Sequence, residues 1–196
     1  MQYGIIPYAI SNLIAATIHM DIVIKEWMQV REVSWLIQWM RLITNLGSPM
    51  FFVLISILIF IWLKRHNKRL EAITSYTCLV SAWLLMEGLK LIFVRPRPMG
   101  DALTIASGFS FPSGHAMISM AYYGFLVVLL LTQYLSRWSR IVAAGVLGLI
   151  ICIGFSRIYL NVHYFSDVMF GYVMGLLVLY VNWWGLTRIR RKYITK

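Results

Sequence analysis

Two histidines and one aspartate have the types and the spacing of a nucleophile with its acid–base partners. His163 and Asp167 are four residues apart, so on a helix their side chains share one face. A carboxylate there accepts a hydrogen bond from one imidazole nitrogen and holds the other towards a substrate. His115 has no such neighbour in the sequence and is the better candidate for a general acid that protonates a leaving oxygen. A His–Asp pair at this spacing is also half of a metal site, which leaves a metal-ligand role open at this point.

The segment Pro112–His115, with the sequence PSGH, is suited to bind an anion. It opens directly into a long apolar run, which predicts the N-terminus of a helix. Unpaired N–H groups and the positive potential at such a terminus attract anions. Ser113 can add a hydroxyl donor, and Gly114 lets the backbone approach a ligand closely.

Cations lie on either side of this segment in the sequence. Lys90 and Arg97 stand at the end of the preceding apolar stretch, and Arg157 stands at the end of a later one. Guanidinium groups hold phosphate oxygens in a forked geometry, so these residues are candidate phosphate ligands. Glu87 lies three residues before Lys90, and two readings stay open for it. It either lowers the cost of placing Lys90 in a membrane or positions Lys90 for the phosphate.

Long apolar runs must position these residues. The chain has 196 residues, of which 60% are hydrophobic and 13% are charged, and its mean hydropathy is +0.74. A bilayer core needs about 20 apolar residues per helix. We therefore predict an all-α integral membrane protein with six transmembrane helices in a single domain, residues 1–196. The predicted spans are Met1–Met20, Leu42–Leu63, Ala72–Val94, Ala116–Ser136, Ile141–Ser156 and Val168–Thr187.

Residues 21–41 differ in kind from these runs, because apolar and charged residues alternate there at roughly helical spacing. Trp27, Trp35 and Trp39 are the large anchors. The pattern predicts an amphipathic helix at the extracytoplasmic interface. It serves either as a surface segment with interfacial tryptophans or as a lid or rim where a lipid enters, and the first reading is favoured.

Basic clusters predict the orientation in the membrane. They alternate between predicted spans, so with six spans all of them lie on one side, which the positive-inside rule places in the cytoplasm. Both termini are then cytoplasmic, and the clusters are assigned to topology and anionic lipid rather than to nucleic acid. The residues are Lys64, Arg65, Lys68, Arg69, Arg137, Arg140, Arg188, Arg190, Arg191, Lys192 and Lys196.

Segments 90–98, 112–115 and 156–167 should then converge at the extracytoplasmic face. Lys90, Arg95, Arg97 and Arg157 lie there against the positive-inside rule, and charges at membrane depth are usually functional. Topology does not explain them, and an anionic ligand does.

The three segments together resemble the composite signature of the type 2 phosphatidic acid phosphatase superfamily. The resemblance spans residues 90–167, and the six-span layout extends it over the chain. Arg95 lies outside the pattern. The matching parts are Lys90-(six residues)-Arg97-Pro98, Pro112-Ser113-Gly114-His115 and Ser156-Arg157-(five residues)-His163-(three residues)-Asp167.

This resemblance implies a metal-independent lipid phosphatase without a cofactor. His163 would attack phosphorus and form a phosphohistidine, Asp167 would orient it, and His115 would protonate the leaving group. The resemblance assigns the phosphate oxygens to Lys90, Arg97, Ser113, Gly114 and Arg157.

The expected substrate is a lipid phosphate that enters from the outer leaflet, and no protein partner is evident. The small size, the six spans and the glycine in PSGH look most like bacterial phosphatidylglycerophosphate phosphatases of the B type. Undecaprenyl diphosphate phosphatase and broad phosphatidic acid phosphatase activities are the alternatives. A transporter of organic anions or lipids is the rival of another class, but such a protein would hold its charges near the bilayer midplane between paired repeats, and no repeat is found.

Overall fold

A computed structural model of the protein describes residues 8–29 and 33–194, with side chains for 16–28 and 33–192. These residues form helices and connecting loops, with no strand among them. The helices are α1 (Tyr8–Gln29), α2 (Ser34–Asn45), α3 (Pro49–Arg65), α4 (Arg69–Phe93), α5 (Gly114–Gln133), α6 (Arg137–Tyr159) and α7 (Phe165–Ile194).

Local sequence signals set several of these boundaries. Ser48 caps α3, with its side chain accepting a hydrogen bond from the Phe51 N–H at 3.3 Å, and Pro49 occupies the first turn, where its missing N–H costs nothing. Ser136 caps α6 in the same way through the Ser139 N–H. α4 ends at Val94, which adopts a left-handed conformation with φ 46°.

Four helices, α4 to α7, are long and apolar enough to cross a membrane. α2 and α3 meet at a bend of 46° and together would provide a fifth span. The all-α membrane fold predicted from the sequence is therefore confirmed. The first predicted span, Met1–Met20, would bring the total to six. It stays a prediction, since part of it lies outside the described residues.

The predicted boundaries around residues 21–41 are wrong. α1 continues to Gln29, nine residues beyond the predicted end of the first span, and α2 begins a separate helix at Ser34. Asp21, which marked the end of the charge-free run, is only 2% exposed because its carboxylate is paired inside the protein. A charged residue with buried partners does not interrupt a helix, whereas the sequence pattern treats it as facing water. Residues 30–32 lie outside the described part of the chain.

α5 is the central helix, packed against α4, α6 and α7. Small residues on α7 allow a close approach to it. A Cβ atom at Gly171 would lie 2.9 Å from the Ser113 carbonyl oxygen, and one at Gly175 would lie 2.5 Å from the Met117 carbonyl oxygen. Such contacts between small residues are the usual way for membrane helices to pack closely. They bring the start of α7 beside the start of α5, where the segment PSGH lies.

The three predicted basic clusters, apart from Lys196, which lies outside the described residues, lie at the opposite end of the bundle. Lys68, before α4, donates to the hydroxyl of Tyr134 at 3.1 Å, after α5. Arg190 of α7 pairs with Glu71 at 2.6 Å. We call this the basic end. α4 begins there and carries Lys90 in its last turn, so the two ends are separated by the length of a spanning helix.

Candidate active site

The ends of four helices meet around a cavity of about 300 Å³. The end of α4 supplies Lys90, the loop after it Arg97, the end of α6 Arg157 and the α6–α7 turn His163. The start of α5 supplies Gly114 and His115 to the same wall. Glu87 and Trp83 also line it. All three predicted segments therefore converge, although they are up to 73 residues apart in the sequence (90 to 163).

His163 is 4% exposed, and its two ring nitrogens face different partners. Nε2 lies 3.3 Å from Nη1 of Arg97. A guanidinium has no acceptor, so Arg97 donates and Nε2 is the unprotonated nitrogen of the neutral ring. Nδ1 then carries the proton and faces the Ser110 hydroxyl at 3.4 Å and Oδ2 of Asp167 at 3.6 Å. The unprotonated nitrogen of His163 thus lies on the cavity side, beside a predicted phosphate ligand.

Burial is the main reason why His163 stays neutral. Removal of the ring from water is the largest cause that lowers its pKa from 6.5 to about 4; Arg157 and Arg97 also lower it, and the contact with Asp167 acts in the opposite direction. A histidine that is unprotonated over the whole physiological range can act as a nucleophile without first losing a proton.

Asp167 is fully buried behind His163, and its two oxygens bond to several groups. Oδ2 accepts hydrogen bonds from the Ser110 hydroxyl at 2.5 Å and from the Tyr164 N–H at 2.9 Å. Oδ1 accepts one from Nη1 of Arg95 at 2.6 Å. The Tyr164 contact also caps the start of α7. The predicted pairing with His163 is therefore close but shared, because Ser110 lies between the carboxylate and the imidazole.

The two arginines of the cavity differ in how they are held. Arg97 donates to the carbonyl oxygens of Val162 at 2.7 Å, Ser107 at 2.6 Å and Gly108 at 3.0 Å, which fixes the loop 94–113 onto the α6–α7 turn. Arg157 is 4% exposed and donates through Nη1 to the Thr44 hydroxyl at 2.8 Å, while its Nε has no hydrogen-bond partner. A buried guanidinium N–H without an acceptor is costly, and an anion in the cavity would satisfy it.

The segment PSGH lies where the sequence predicts it. α5 begins at Gly114, and Ser113 is its N-cap residue, with a fully buried hydroxyl that makes no hydrogen bond. The Ser113 N–H donates to the backbone oxygen of Asp167 at 3.1 Å. A Cβ atom at Gly114 would lie 3.3 Å from the sulfur of Met86 on α4. Glycine at this position therefore also serves helix packing. Ser113 does not line the cavity wall.

Lys90 and Glu87 form the predicted pair at 3.8 Å. The side chain of Lys90 is 16% exposed and that of Glu87 is 47% exposed. The carboxylate therefore has access to solvent, and the pair is loose.

The sequence analysis missed four residues around this site: Asp21, Thr44, Arg95 and Ser110. Arg95 had a signal, since it is one of the charges that topology does not explain, but it lies outside the three-part pattern. Asp21 had a weaker one, as the first charge after a long apolar run. Thr44 and Ser110 had none, because only the fold brings them to Arg157 and Asp167.

A comparison with known families assigns the chain. Residues 71–191, which hold all of the predicted site residues, match the PAP2 superfamily. The chain belongs to this superfamily. The resemblance predicted from the three segments is confirmed, and with it the class of lipid phosphatase.

Relatives within the PAP2 superfamily agree over most of the chain. Phosphatidylglycerophosphatase B of Bacillus subtilis is 31% identical, over 86% of this chain and 87% of that protein. Dolichyldiphosphatase 1 of Mus musculus is 26% identical, over 76% of this chain and 65% of that protein.

Solved structures agree with the fold. The crystal structure of the transmembrane PAP2-type phosphatidylglycerolphosphate phosphatase from Bacillus subtilis has a TM-score of 0.79 at 26% identity, over 95% of this chain and 89% of that one. LpxE of Aquifex aeolicus has a TM-score of 0.67 at 21% identity, over 82% and 93%, which supports the fold alone.

Proposed function

We propose that this lipid phosphatase removes the phosphate from phosphatidylglycerophosphate-type lipids through a phosphohistidine on His163. The observation that carries the mechanism is that the two ring nitrogens of His163 face opposite sides. Nε2 faces Arg97 in the cavity, and Nδ1 faces Ser110 and Asp167 behind it. Only the nitrogen on the cavity side is unprotonated, and the cationic side chains around it could bind the oxygens of a phosphate.

The reaction has two steps. Nε2 of His163 forms a bond to phosphorus while the bond between phosphorus and the lipid oxygen breaks. His115, which takes up a proton when the phosphate anion binds beside it, donates this proton to that oxygen. Water then attacks phosphorus, His115 takes a proton from this water, and the phosphorus–nitrogen bond breaks to release phosphate. Lys90, Arg97 and Arg157 balance the charge of the phosphoryl oxygens in both steps, and the first N–H groups of α5 add hydrogen-bond donors.

Two observations bear on the choice of lipid. The similarity to phosphatidylglycerophosphatase B covers most of both chains, and Gly114 is the glycine in PSGH by which the segment resembles phosphatidylglycerophosphate phosphatases of the B type. The similarity to dolichyldiphosphatases favours a polyprenyl diphosphate, such as undecaprenyl diphosphate, as the second candidate.

The charge distribution supports an extracytoplasmic active site. The basic residues that the positive-inside rule assigns to the cytoplasm lie at the basic end, and the cavity lies at the other end of the spanning helices. Both termini would then be cytoplasmic, provided that a sixth span precedes α2. A cysteine at the exposed Asp101, in a chain with Cys78 and Cys152 replaced, should react with an impermeant thiol reagent on intact cells. Reaction only after lysis would place the site inside.

Phosphate release by the protein purified in detergent tests the function. Phosphatidylglycerophosphate, undecaprenyl diphosphate and phosphatidic acid should be offered in parallel, with His163→Ala as the control. We expect the highest kcat/KM with the first lipid and no release by the variant. A higher kcat/KM for the diphosphate would reassign the substrate, and release by His163→Ala would exclude the phosphohistidine.

A further inference from the structure

A second buried carboxylate lies next to the catalytic group, on a helix outside the matched region. Asp21 of α1 is 2% exposed. Its Oδ1 accepts a hydrogen bond from the Ser166 N–H at 2.9 Å. Its Oδ2 accepts one from the Ser166 hydroxyl at 2.6 Å and one from Nη2 of Arg95 at 2.7 Å. α1 is thereby attached to the first turn of α7, one residue from Asp167.

Arg95 joins the two carboxylates. While Nη2 donates to Asp21, Nη1 donates to Oδ1 of Asp167 at 2.6 Å and to the Ser166 hydroxyl at 2.7 Å. The guanidinium also lies over the ring of Tyr164, 4.2 Å from its centroid. Both terminal nitrogens and one face of the Arg95 guanidinium are therefore in contact, and its position helps to determine where Oδ1 of Asp167 lies.

The charges explain why two carboxylates are present. An arginine that faced Asp167 alone would hold that carboxylate as a closed ion pair and weaken its interaction with His163. Asp21 takes half of the interaction with Arg95 and adds one negative charge to a group that otherwise has a net charge of zero. Asp167 then keeps negative charge for the proton on Nδ1 of His163, which becomes more acidic when Nε2 is bonded to phosphorus.

We infer that Asp21 is a positioning residue for the nucleophile, acting through Arg95 to hold Asp167 in place and charged behind His163. This inference rests on the proposed function, in which His163 attacks phosphorus and Asp167 orients it. Asp21 does not line the cavity, so it contributes to turnover rather than to substrate binding. A buried charge cluster at this depth is costly to form, and an apolar contact would join α1 to α7 at lower cost.

The variant Asp21→Asn keeps the size and one acceptor oxygen but removes the charge. We expect kcat to fall about tenfold with KM unchanged, the size of effect that partners behind a reacting group usually have. Asp21→Glu should restore part of kcat. Glu26→Gln is the matched control, because it removes the same charge from an exposed position of the same helix. It should behave as the wild type.

A double variant shows whether Asp21 acts through Arg95. If it does, Asp21→Asn adds little to the loss already caused by Arg95→Gln, since the connecting group is gone. Losses that multiply would overturn the inference, as would a wild-type kcat in Asp21→Asn or a change in KM alone.

Arg95→Lys covers the case in which Asp21→Asn does not fold. It keeps the positive charge but lacks the fork of two terminal nitrogens that donate to Asp21 and Asp167 at the same time, so kcat should fall at constant KM. A wild-type kcat in Arg95→Lys would then refute the inference. The proposed function fails separately, if the wild type releases no phosphate or if His163→Ala remains active.

Discussion

The low pKa of His163 makes acidification a direct test of the candidate nucleophile. Burial and the neighbouring arginines lower this pKa from 6.5 to about 4, so lowering the pH from 7 to 5 should leave the fraction of neutral imidazole almost unchanged. A histidine with the ordinary pKa would be protonated over the same interval and would lose its free electron pair.

The expected difference is large. With a pKa of about 4, roughly 90% of His163 is neutral at pH 5, compared with roughly 3% for an ordinary histidine, which is about a 30-fold difference in kcat/KM. The stability of the fold should respond to acid differently from the activity, because the same low pKa that preserves the nucleophile makes the fold less stable at low pH. Only the unfolded chain takes up this proton between pH 6.5 and 4, so the fold loses stability as the pH falls through this interval, by about 2 kcal/mol at pH 5.

The assay is kcat/KM of the detergent-purified protein between about pH 4.5 and 8. The protein must remain folded over this range of pH. The ionisation of the substrate phosphate, which titrates near pH 6, is measured separately by phosphorus NMR and divided out. Thermal unfolding of the wild type and of His163→Gln gives the stability arm, with the exposed His66→Gln at the basic end as the matched control. An acidic limb that remains at pH 6.5 after correction, together with equal pH slopes for wild type and His163→Gln, would refute the reasoning.

Three further predictions concern the metal, the loose ion pair and the helix contact. Activity should survive EDTA, because the cavity is lined by cationic side chains that can bind the phosphate. A complete loss of activity that zinc restores would instead support a metal-ligand role for the His–Asp pair. Glu87→Gln should change kcat/KM less than about threefold, since a half-exposed carboxylate 3.8 Å from Lys90 contributes little; a tenfold loss would instead mean that Glu87 positions Lys90. Gly175→Val should lower the unfolding temperature through overpacking of about 1–3 kcal/mol, because its Cβ would overlap the Met117 carbonyl oxygen. Gly185→Val, which has nothing within 4 Å of its Cβ, is the control, and equal melting temperatures of the two variants would contradict the packing argument.

The candidate site residues could be predicted from the sequence because each belongs to a short segment with its own chemistry. PSGH before an apolar run, His163 with Asp167 one helical turn later, and arginines on the side of the membrane where topology does not require them are local signals. Convergence followed from counting spans, since alternate helix ends lie on the same face.

The predicted boundaries around residues 21–41 are wrong for a physical reason. An amphipathic pattern shows where polar residues recur, but it does not show whether they face water or a buried partner. Asp21 looks like the first aqueous residue after a span, and it is a buried anion only because Arg95 and Ser166 lie beside it, 74 and 145 residues away. No local pattern contains these partners.

By itself, the sequence determined the all-α membrane class and the superfamily, and it predicted the groups that would bind phosphate, because hydropathy and short-range spacing are properties of the chain alone. Only the tertiary structure decided which nitrogen of His163 faces the cavity, that Ser110 lies between His163 and Asp167, and that Arg95 joins Asp167 to α1. These features depend on distances between residues remote in the chain, which are set when α7 packs closely against α5 and brings the loop 94–113 over the start of both helices.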